Sequence, residues 1–263
     1  MDMITSTSNN KIKDIRQLLR DASYRREKGI FISEGIRMFR EIPAERLLRV
    51  YVSQTGYERF HDDLKSRSID ETSPKLQIID DRIYKSISQT KTPQGIMAEV
   101  ACISKNIDDI IIENGLYLVL DGIQDPGNLG TIIRTAEATG VAGVIMGNGT
   151  CDIYNPKVVR STMGAIFRVP FIYSDDLEAT LAYLKTQGIT IYGAHLSGRD
   201  FYEEDYRGAT AFLIGNEGNG ISPQVAYTAD KLIRIPMMGQ VESLNAAISV
   251  AVLSYEVLRQ KKC

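Results

Sequence analysis

LYLVLDGIQDPGNLGTIIRTAEAT, residues 116–139, decides the fold of the second half of the chain. Its first five residues form a continuous apolar run, which is typical of a strand buried on both faces of a parallel sheet. The turn Asp125–Asn128 then leads into a helical pattern over Gly127–Thr139. Strand and helix patterns alternate beyond it, at Gly143–Met146, Pro156–Met163, Leu177–Gln187, Thr190–Ala194, Ala211–Ile214, Lys231–Ile235 and Ala246–Arg259. This alternation predicts a doubly wound α/β domain.

The first hundred residues carry a second alternating pattern. Apolar residues recur at helical spacing over residues 9–21, which predicts an amphipathic helix capped by Asn9 or Asn10. Strand candidates follow at residues 30–33, 48–53, 76–79 and 95–103, with helical patterns between them. Residues 105–115 mix charged residues with Asn and Gly, which indicates a linker. We therefore predict two α/β domains, at residues 1–104 and 116–263.

Composition narrows the class of protein. The chain has 263 residues, of which 43% are hydrophobic, enough to bury two cores. It contains no uncharged apolar run of about 18 residues, and Met1–Ser6 lacks the basic and apolar regions of a signal peptide. We therefore expect a cytoplasmic protein without a membrane span. Two histidines and three distant cysteines argue against a zinc site, a Ser-His-Asp relay and a disulfide framework; the cysteines are Cys102, Cys151 and Cys263.

Positive charge is concentrated near the N-terminus. The net charge of the chain is −2, so a binder of polyanions with this composition must gather its basic residues locally. One short segment does so, with Lys11, Lys13, Arg16, Arg20, Arg25, Arg26 and Lys28, followed by Arg37 and Arg40. The alternative is a solvated helix face whose charge is balanced by Asp14, Asp21 and Glu27.

The turn after the first apolar strand carries two candidate functional side chains. Ligands of open parallel sheets bind outside the carboxyl ends of the strands, which is where this turn lies. Asn128 stands at the start of the following helix, and Arg134 lies nearly two turns along it. The planar, always charged guanidinium of Arg134 suits a phosphate. Its alternative is a surface ion pair with Glu137 on the same helix.

Two further segments combine glycine or polar residues with strand ends. GNEGNG at residues 215–220 follows an apolar strand pattern, and its glycines permit a close approach of the backbone to a nucleoside. The spacing is neither a Rossmann fingerprint nor a P-loop, and an ordinary glycine-rich turn is the alternative. Ile235–Met237 precedes SLNAA at residues 243–247, where Ser243 or Asn245 caps the last helix. That helix is apolar on more than one side, which predicts that it is buried.

In order and content, these three segments resemble the motifs of the SpoU (TrmH) branch of the SPOUT RNA 2'-O-ribose methyltransferases. FISEGIR at residues 31–37 and TPQGIMA at residues 92–98 resemble the L30e-like substrate-binding domain that precedes the methyltransferase in many SpoU proteins. The resemblance implies an N-terminal L30e-like α/β/α domain and a C-terminal SPOUT parallel-sheet domain. It also implies that the last segment of the chain threads through a loop to form a trefoil knot.

The resemblance further implies a site for S-adenosylmethionine. Backbone groups would bind this cofactor at Leu196, Gly215, Asn216, Ile235, Met237 and Leu244. The catalytic set would be Asn128, Arg134, Glu217, Ser243 and Asn245. In the family the arginine is held to assist deprotonation of the ribose 2'-hydroxyl. Because a guanidinium with a pKa above about 12 is a poor base, phosphate binding and alkoxide stabilisation are easier roles, and Glu217 is the competing base candidate.

The predicted reaction is methyl transfer to RNA. In-line transfer needs the two reactants to be positioned and needs no metal, so no metal site is predicted. The expected burial of the last helix and the family resemblance together predict a homodimer, in which Arg134 serves the cofactor site of the partner. Ribosomal RNA is the favoured substrate because of the N-terminal domain, and transfer RNA is the alternative. Two other classes stay open: a non-catalytic RNA-binding or ribosome assembly protein, and a nucleotide-dependent metabolic enzyme.

Overall fold

A computed structural model describes residues 3–262, so Cys263 and the first two residues lie outside the described part. Contacts divide the chain into two units. The N-terminal unit comprises the chain up to Ile103 together with Asp152–Phe167, and the C-terminal unit comprises Ser104–Cys151 and the chain from Arg168 onward. Asp152–Phe167, which the sequence analysis includes in the second domain, therefore belongs to the N-terminal unit by its contacts. The limits of the functional domains stay a prediction.

The N-terminal unit is built on a four-stranded mixed sheet. Its strands are β1 (Ile30–Glu34), β2 (Leu47–Ser53), β3 (Leu76–Ile79) and β4 (Ile96–Ala101), in the order β1-β4-β2-β3. Strand β4 runs antiparallel to both β1 and β2, and β2 pairs in parallel with β3. The helices of this unit are α1 (Asn10–Arg20), α2 (Ala22–Lys28), α3 (Ile36–Glu41), α4 (Gln54–Arg59), α5 (His61–Lys65) and α6 (Asp81–Ile87).

Helix α1 confirms its predicted cap and buried stripe. The Asn9 side chain accepts a hydrogen bond from Lys11 N at 2.9 Å, and the helix ends at Arg20 because Asp21 caps the next helix, α2. Four apolar residues of α1 are buried against the sheet, namely Ile12, Ile15, Leu18 and Leu19. Arg25 does not belong to the exposed basic cluster, because its guanidinium is buried and bound to Asp152 at 2.5 Å.

The C-terminal unit has the expected parallel sheet, here with six strands. They are β5 (Leu116–Asp121), β6 (Gly143–Gly147), β7 (Phe171–Ser174), β8 (Thr190–Asp200), β9 (Thr210–Gly215) and β10 (Lys231–Arg234), in the order β10-β8-β9-β5-β6-β7. All neighbours in this sheet are parallel. The remaining helices are α7 (Pro126–Thr139), α8 (Pro156–Ser161, in the N-terminal unit), α9 (Leu177–Thr186), α10 (Pro223–Tyr227) and α11 (Ala246–Lys262).

Strand β5 is the centre of the sheet and the point at which strand order changes direction. Its apolar residues are fully buried, which confirms the prediction of burial on both faces. Asp121 pairs with Gly215, so the carboxyl ends of β5 and β9 lie side by side although they are far apart in sequence. A crevice at such a switch point is where α/β sheets bind ligands.

Three details of the C-terminal unit differ from expectation. Strand β7 escaped the sequence analysis because it has only four residues, one of them exposed. Strand β8 extends to Asp200 because its polar end pairs with β10 across a shift in register. The sequence predicts that α11 is buried, but one face of this helix is exposed in a single copy of the chain, so the prediction is wrong for that face. That helix packs against α7, but Ile248 and Tyr255 are 49% and 53% exposed.

Helix α11 and the other described helices are too short or too polar to cross a membrane. The trefoil knot stays a prediction.

Candidate functional site

A cavity of about 330 Å³ lies at the carboxyl ends of β8, β9 and β10 and against the start of α11. Four segments line it: residues 194–196 after β8, 214–221 after β9, 233–237 after β10, and residues between 242 and 253 at α11. Its size is near the lower end of small-molecule sites, which begin at about 300 Å³. The bends at Gly215, at residues 235–237 and at residues 243–244 therefore lie together at one cavity.

The loop after β9 is held in one tight conformation. Asn216 and Gly220 exchange two backbone hydrogen bonds of 2.9 Å, and Gly220 has a φ of +69°. A Cβ on Gly215 would lie 2.0 Å from the carbonyl carbon of Gly220, so only glycine fits at this position. The exposed backbone of this loop therefore forms one wall of the cavity.

The Asn216 side chain locks the same loop to the turn after β5. Its amide nitrogen donates to Gly122 O at 2.8 Å, while its oxygen accepts from Gly218 N at 2.9 Å and Asn219 N at 3.2 Å. Asn216 thus lines the cavity, but its side-chain amide forms hydrogen bonds that hold the loop in place.

A chain of side-chain hydrogen bonds joins all three motifs. The Glu217 carboxylate accepts from the Asn128 amide at 2.8 Å, and the Asn128 oxygen accepts from the Asn245 amide at 2.9 Å. Asn245 also caps α11 by accepting from Ala247 N at 2.9 Å. The carboxylate, the two amides and the start of α11 therefore form one connected unit beside the cavity.

The surroundings of Glu217 favour its ionised form. Partial burial alone would raise the pKa of this carboxyl group, but hydrogen bonds from Asn128 and from backbone N–H groups outweigh burial and lower the pKa below its ordinary value of 4.5. Two of those backbone bonds come from Gln124 N and Asp125 N, each at 3.2 Å. A carboxylate with a lowered pKa and several donors is a weak base, which favours a positioning role for Glu217.

Arg134 is exposed on the outer side of α7 and is not among the residues that line the cavity. The alternative ion pair with Glu137 is absent from the described part of the chain, since Glu137 is bound by Arg168 instead. Among residues 3–262, Arg134 also forms no other hydrogen bond or ion pair. Its guanidinium is therefore available to a phosphate or to a second copy of the chain.

The structure thus brings most predicted site residues together. Lining the cavity are Leu196, Gly215, Asn216, Glu217, Ile235, Met237, Ser243 and Leu244. Asn128 and Asn245 are joined to Glu217 at its side, and Arg134 stands apart. Ser249 and Leu253 also line the cavity, although no sequence motif indicated them. Residues 245, 249 and 253 are spaced by four, so Ser249 and Leu253 share one helix face with Asn245. This spacing is the sequence feature that could have identified them.

The residues that line the cavity suit a nucleoside cofactor. Glycine and apolar residues make up most of the lining, and each of the four segments adds at least one polar side chain. Among residues 3–262 no group of three or more His, Cys, Asp or Glu side chains could hold a metal ion.

Two protein families match successive parts of the chain. The SpoU rRNA Methylase family matches residues 115–255, and the MRM3-like substrate binding domain matches residues 9–98. The first match contains every residue of the cavity, and the second lies within the N-terminal unit.

Relatives and solved structures match over nearly the full length. The chain is 30% identical to the 23S rRNA (guanosine(2553)-2'-O)-methyltransferase RlmP of Bacillus subtilis (strain 168), over 98% of this chain and 99% of that protein. It superposes on the SpoU methyltransferase AviRb from Streptomyces viridochromogenes in complex with AdoMet with a TM-score of 0.86 and 26% identity, over 97% and 98% of the two chains. It superposes on an AdoMet-bound rRNA methyltransferase from Sinorhizobium meliloti with a TM-score of 0.84 and 29% identity, over 98% and 97%.

Proposed function

Because this chain belongs to the SpoU rRNA methylase family, we propose that it is an S-adenosylmethionine-dependent 2'-O-ribose methyltransferase acting on ribosomal RNA. The observation that carries the proposal is the convergence of three distant bends on one cavity, with the Glu217–Asn128–Asn245 chain beside it. The matching relatives named for 23S rRNA, and the MRM3-like match of the N-terminal segment, favour ribosomal over transfer RNA. That substrate implies a cytoplasmic protein.

The cavity holds the adenosine part of S-adenosylmethionine. Backbone groups at Gly215, Ile235 and Leu244 suit the polar edge of an adenine, and Leu196 and Met237 provide apolar cover. When bound, the cofactor supplies an activated methyl group on a sulfonium. The rigid loop at Asn216 fixes the wall of the site before binding, so little conformational entropy is lost on association.

The polar groups next to Glu217 orient the ribose. Asn128 and Asn245 hold each other and Glu217 in fixed positions, and Ser243, two residues before Asn245, lines the cavity. Glu217 positions Asn128 and the backbone of the turn after β5. Holding a 2'-hydroxyl in line with a methyl donor lowers the barrier without covalent catalysis, by up to about 7–11 kcal/mol in well-oriented reactions.

Arg134 supplies positive charge to the reacting ribose. A guanidinium binds an RNA phosphate and stabilises the alkoxide that forms as the 2'-hydroxyl loses its proton. Arg134 does not line the cavity of its own copy, and we infer that it serves the cavity of a partner in a homodimer. The exposed face of α11, formed by Ile248, Ala251, Val252 and Tyr255, supports such a pairing, because α11 packs against α7, the helix of Arg134.

RNA binding and methyl transfer are assigned to separate domains. The N-terminal domain, residues 1–104, binds the RNA, residues 105–115 link the domains, and residues 116–263 transfer the methyl group. The family match over residues 9–98 supports this division.

Methyl transfer from labelled S-adenosylmethionine to unmodified 23S rRNA tests the proposal. We expect incorporation at one nucleotide, resistant to alkaline cleavage on its 3' side because the 2'-oxygen is blocked. RNA binding without any transfer would instead indicate a non-catalytic ribosome assembly protein. Methyl transfer to transfer RNA alone would show that transfer RNA, and not ribosomal RNA, is the substrate. Calorimetry that detects NAD or ATP but no S-adenosylhomocysteine would indicate a metabolic enzyme.

A further inference from the structure

The N-terminal unit contains a cavity of its own, of about 280 Å³. It lies between the β1–α3 turn, the segment before β4 and the end of α8. Charged and polar side chains line it, among them Glu34, Arg37, Thr90, Gln94 and Arg160. None of these residues has a role in the methyl-transfer site proposed above.

Arg160 leaves a buried donor without a partner in this cavity. Its Nη1 atom is buried and has no hydrogen-bond acceptor among the described residues. Buried N–H groups are nearly always paired, and a guanidinium cannot escape the cost by losing its proton. An acceptor that is not part of residues 3–262 is therefore expected at Arg160.

The nearby carboxylate does not meet this need. Glu34 is only 5% exposed, but its oxygens accept hydrogen bonds from the Ser88 hydroxyl, from Gln89 N at 3.4 Å and from Thr90 Oγ1 at 3.3 Å. No ion pair joins Glu34 to Arg160 within the described part of the chain. The acceptor that Arg160 lacks is therefore supplied by solvent or by a ligand in this cavity.

Arg37 adds a second guanidinium to the same cavity. It is exposed on α3 and forms no hydrogen bond or ion pair with any described residue. The backbone beside it is fixed, since Gln94 Oε1 accepts from Ile36 N at 2.9 Å and Gly35 has a φ of +102°. Two guanidinium groups on a rigid frame match the oxygens of a phosphate.

Basic residues are concentrated on α1 and α6, and α1 is tied to the segment before β4 that borders this cavity. Exposed or half-exposed cations lie on α1 and α6, where Arg16 donates to Ser86 Oγ at 3.3 Å and joins the two helices. Gln89 donates to Leu19 O at 3.3 Å, which ties the end of α1 to the residue immediately before Thr90. These basic residues are Lys13, Arg16, Arg20, Arg82 and Lys85. Such a cluster fits a polynucleotide better than a single small anion.

We propose that this cavity binds one unpaired nucleotide of the RNA substrate, with its phosphate held by Arg37 and Arg160. The proposal rests on the proposed function, whose substrate it helps to select. Proteins read RNA mainly at unpaired nucleotides, which can leave the stack and enter a pocket. Met163, 41% exposed at the cavity, offers apolar surface to the base. The inserted segment Asp152–Phe167 thus contributes a recognition residue to the N-terminal unit.

Two substitutions in the full chain test the proposal, Arg160→Met and Arg37→Gln. The control is Arg40→Gln, which removes the same charge from the same helix but lies outside the cavity, paired with Asp63. Binding of a 23S rRNA transcript is measured by filter retention with S-adenosylhomocysteine present. We expect each cavity variant to weaken binding about tenfold and to reduce the salt slope by about one, with little change for the control.

Three further readouts separate recognition from folding and from catalysis. KM for RNA should rise while kcat at saturating RNA and the affinity for S-adenosylhomocysteine stay unchanged. The melting temperature of Arg160→Met should not fall, because the variant removes an unpaired buried donor. Wild-type RNA affinity in both cavity variants would overturn the inference. An absence of methyl transfer by the wild type would refute the proposed function and leave the RNA-binding result to be judged separately.

Discussion

Glu217 illustrates how a single side chain acquires its role from its neighbours. Its carboxylate accepts from Asn128 and from two backbone N–H groups of the turn after β5, about a third of the chain away. The sequence identified Glu217 as a site residue and as a base candidate. Its donors were not predictable, because they reach it only through the pairing of β5 with β9. Those donors favour a positioning role over proton abstraction.

The lowered pKa of Glu217 makes its contribution to stability depend on pH. The folded chain favours the ionised carboxylate, so the contribution is present above pH 4.5 and is lost as the pH falls through the lower pKa of the folded state. Glu217→Gln keeps one acceptor and places an amide against a backbone donor. We expect the variant to have a lower free energy of unfolding in urea at pH 7 and to approach the wild type below pH 4.5.

The control for this prediction is Glu203→Gln. Glu203 is exposed and forms no hydrogen bond or ion pair with any residue in the described part of the chain. Its substitution should leave the free energy of unfolding unchanged at both pH values. A deficit in Glu217→Gln that is equally large at pH 7 and at pH 3.5 would contradict an ionic role for the carboxylate.

At the scale of elements, Asn245 at the start of α11 both caps this helix and contacts the Asn128 side chain of the candidate site. Asn245 accepts from Ala247 N with its oxygen and donates to Asn128 with its nitrogen. Asn245→Ala should destabilise the chain by about 1 kcal/mol through loss of the cap, whereas Asn245→Asp should keep the cap. Both should lower kcat, because neither can donate to Asn128. Thermal melts and methyl-transfer rates measure the two effects, and full activity of Asn245→Asp would exclude a role for this contact.

The exposed face of α11 is the element that we expect to join two copies. Ile248 is 49% exposed, so burial of its remaining surface at a two-fold interface contributes roughly 1 kcal/mol at each of its two occurrences. Ile248→Asp should therefore shift the mass in solution, measured by light scattering, from dimer to monomer and abolish methyl transfer. Tyr227→Asp is the control, because Tyr227 is 93% exposed but lies on α10. A monomeric and active wild type would refute the dimer.

Sequence patterns predict the elements of this chain unequally. The buried strand β5 and the capped helix α1 were predictable, because each has a strong periodicity within a short window. Strand β7 and the outer half of β8 were not, since short or half-polar strands owe their conformation to their neighbours in the sheet. The open face of α11 could not be predicted, because an apolar pattern does not distinguish burial within one chain from burial between two.

At the scale of the whole molecule, Arg134 links activity to assembly. Arg134→Ala should abolish methyl transfer and leave the affinity for S-adenosylhomocysteine near that of the wild type, because the residue does not line its own cavity. Calorimetry and transfer rates measure the two properties. Arg207→Ala, which removes an exposed arginine paired with Asp205, is the control. Equal loss of affinity and rate in Arg134→Ala would contradict this division of roles.

Mixing experiments test whether the arginine acts across the interface. Gly215→Ala should destroy the cavity, because the added Cβ would lie 2.0 Å from the backbone of Gly220. Equal amounts of Arg134→Ala and Gly215→Ala chains, allowed to exchange, should recover about a quarter of wild-type activity, since half of the dimers then hold one intact site. No recovery despite confirmed exchange would place Arg134 and the cavity in the same copy.

The convergence of three bends on one cofactor cavity is most directly tested by a crystal structure of the chain with S-adenosylhomocysteine. We predict that the adenosine lies in the cavity between Gly215, Ile235 and Leu244, and that the sulfur faces the Asn128–Asn245 pair. Binding at any other place, or no binding by the folded chain at millimolar ligand, would contradict the account.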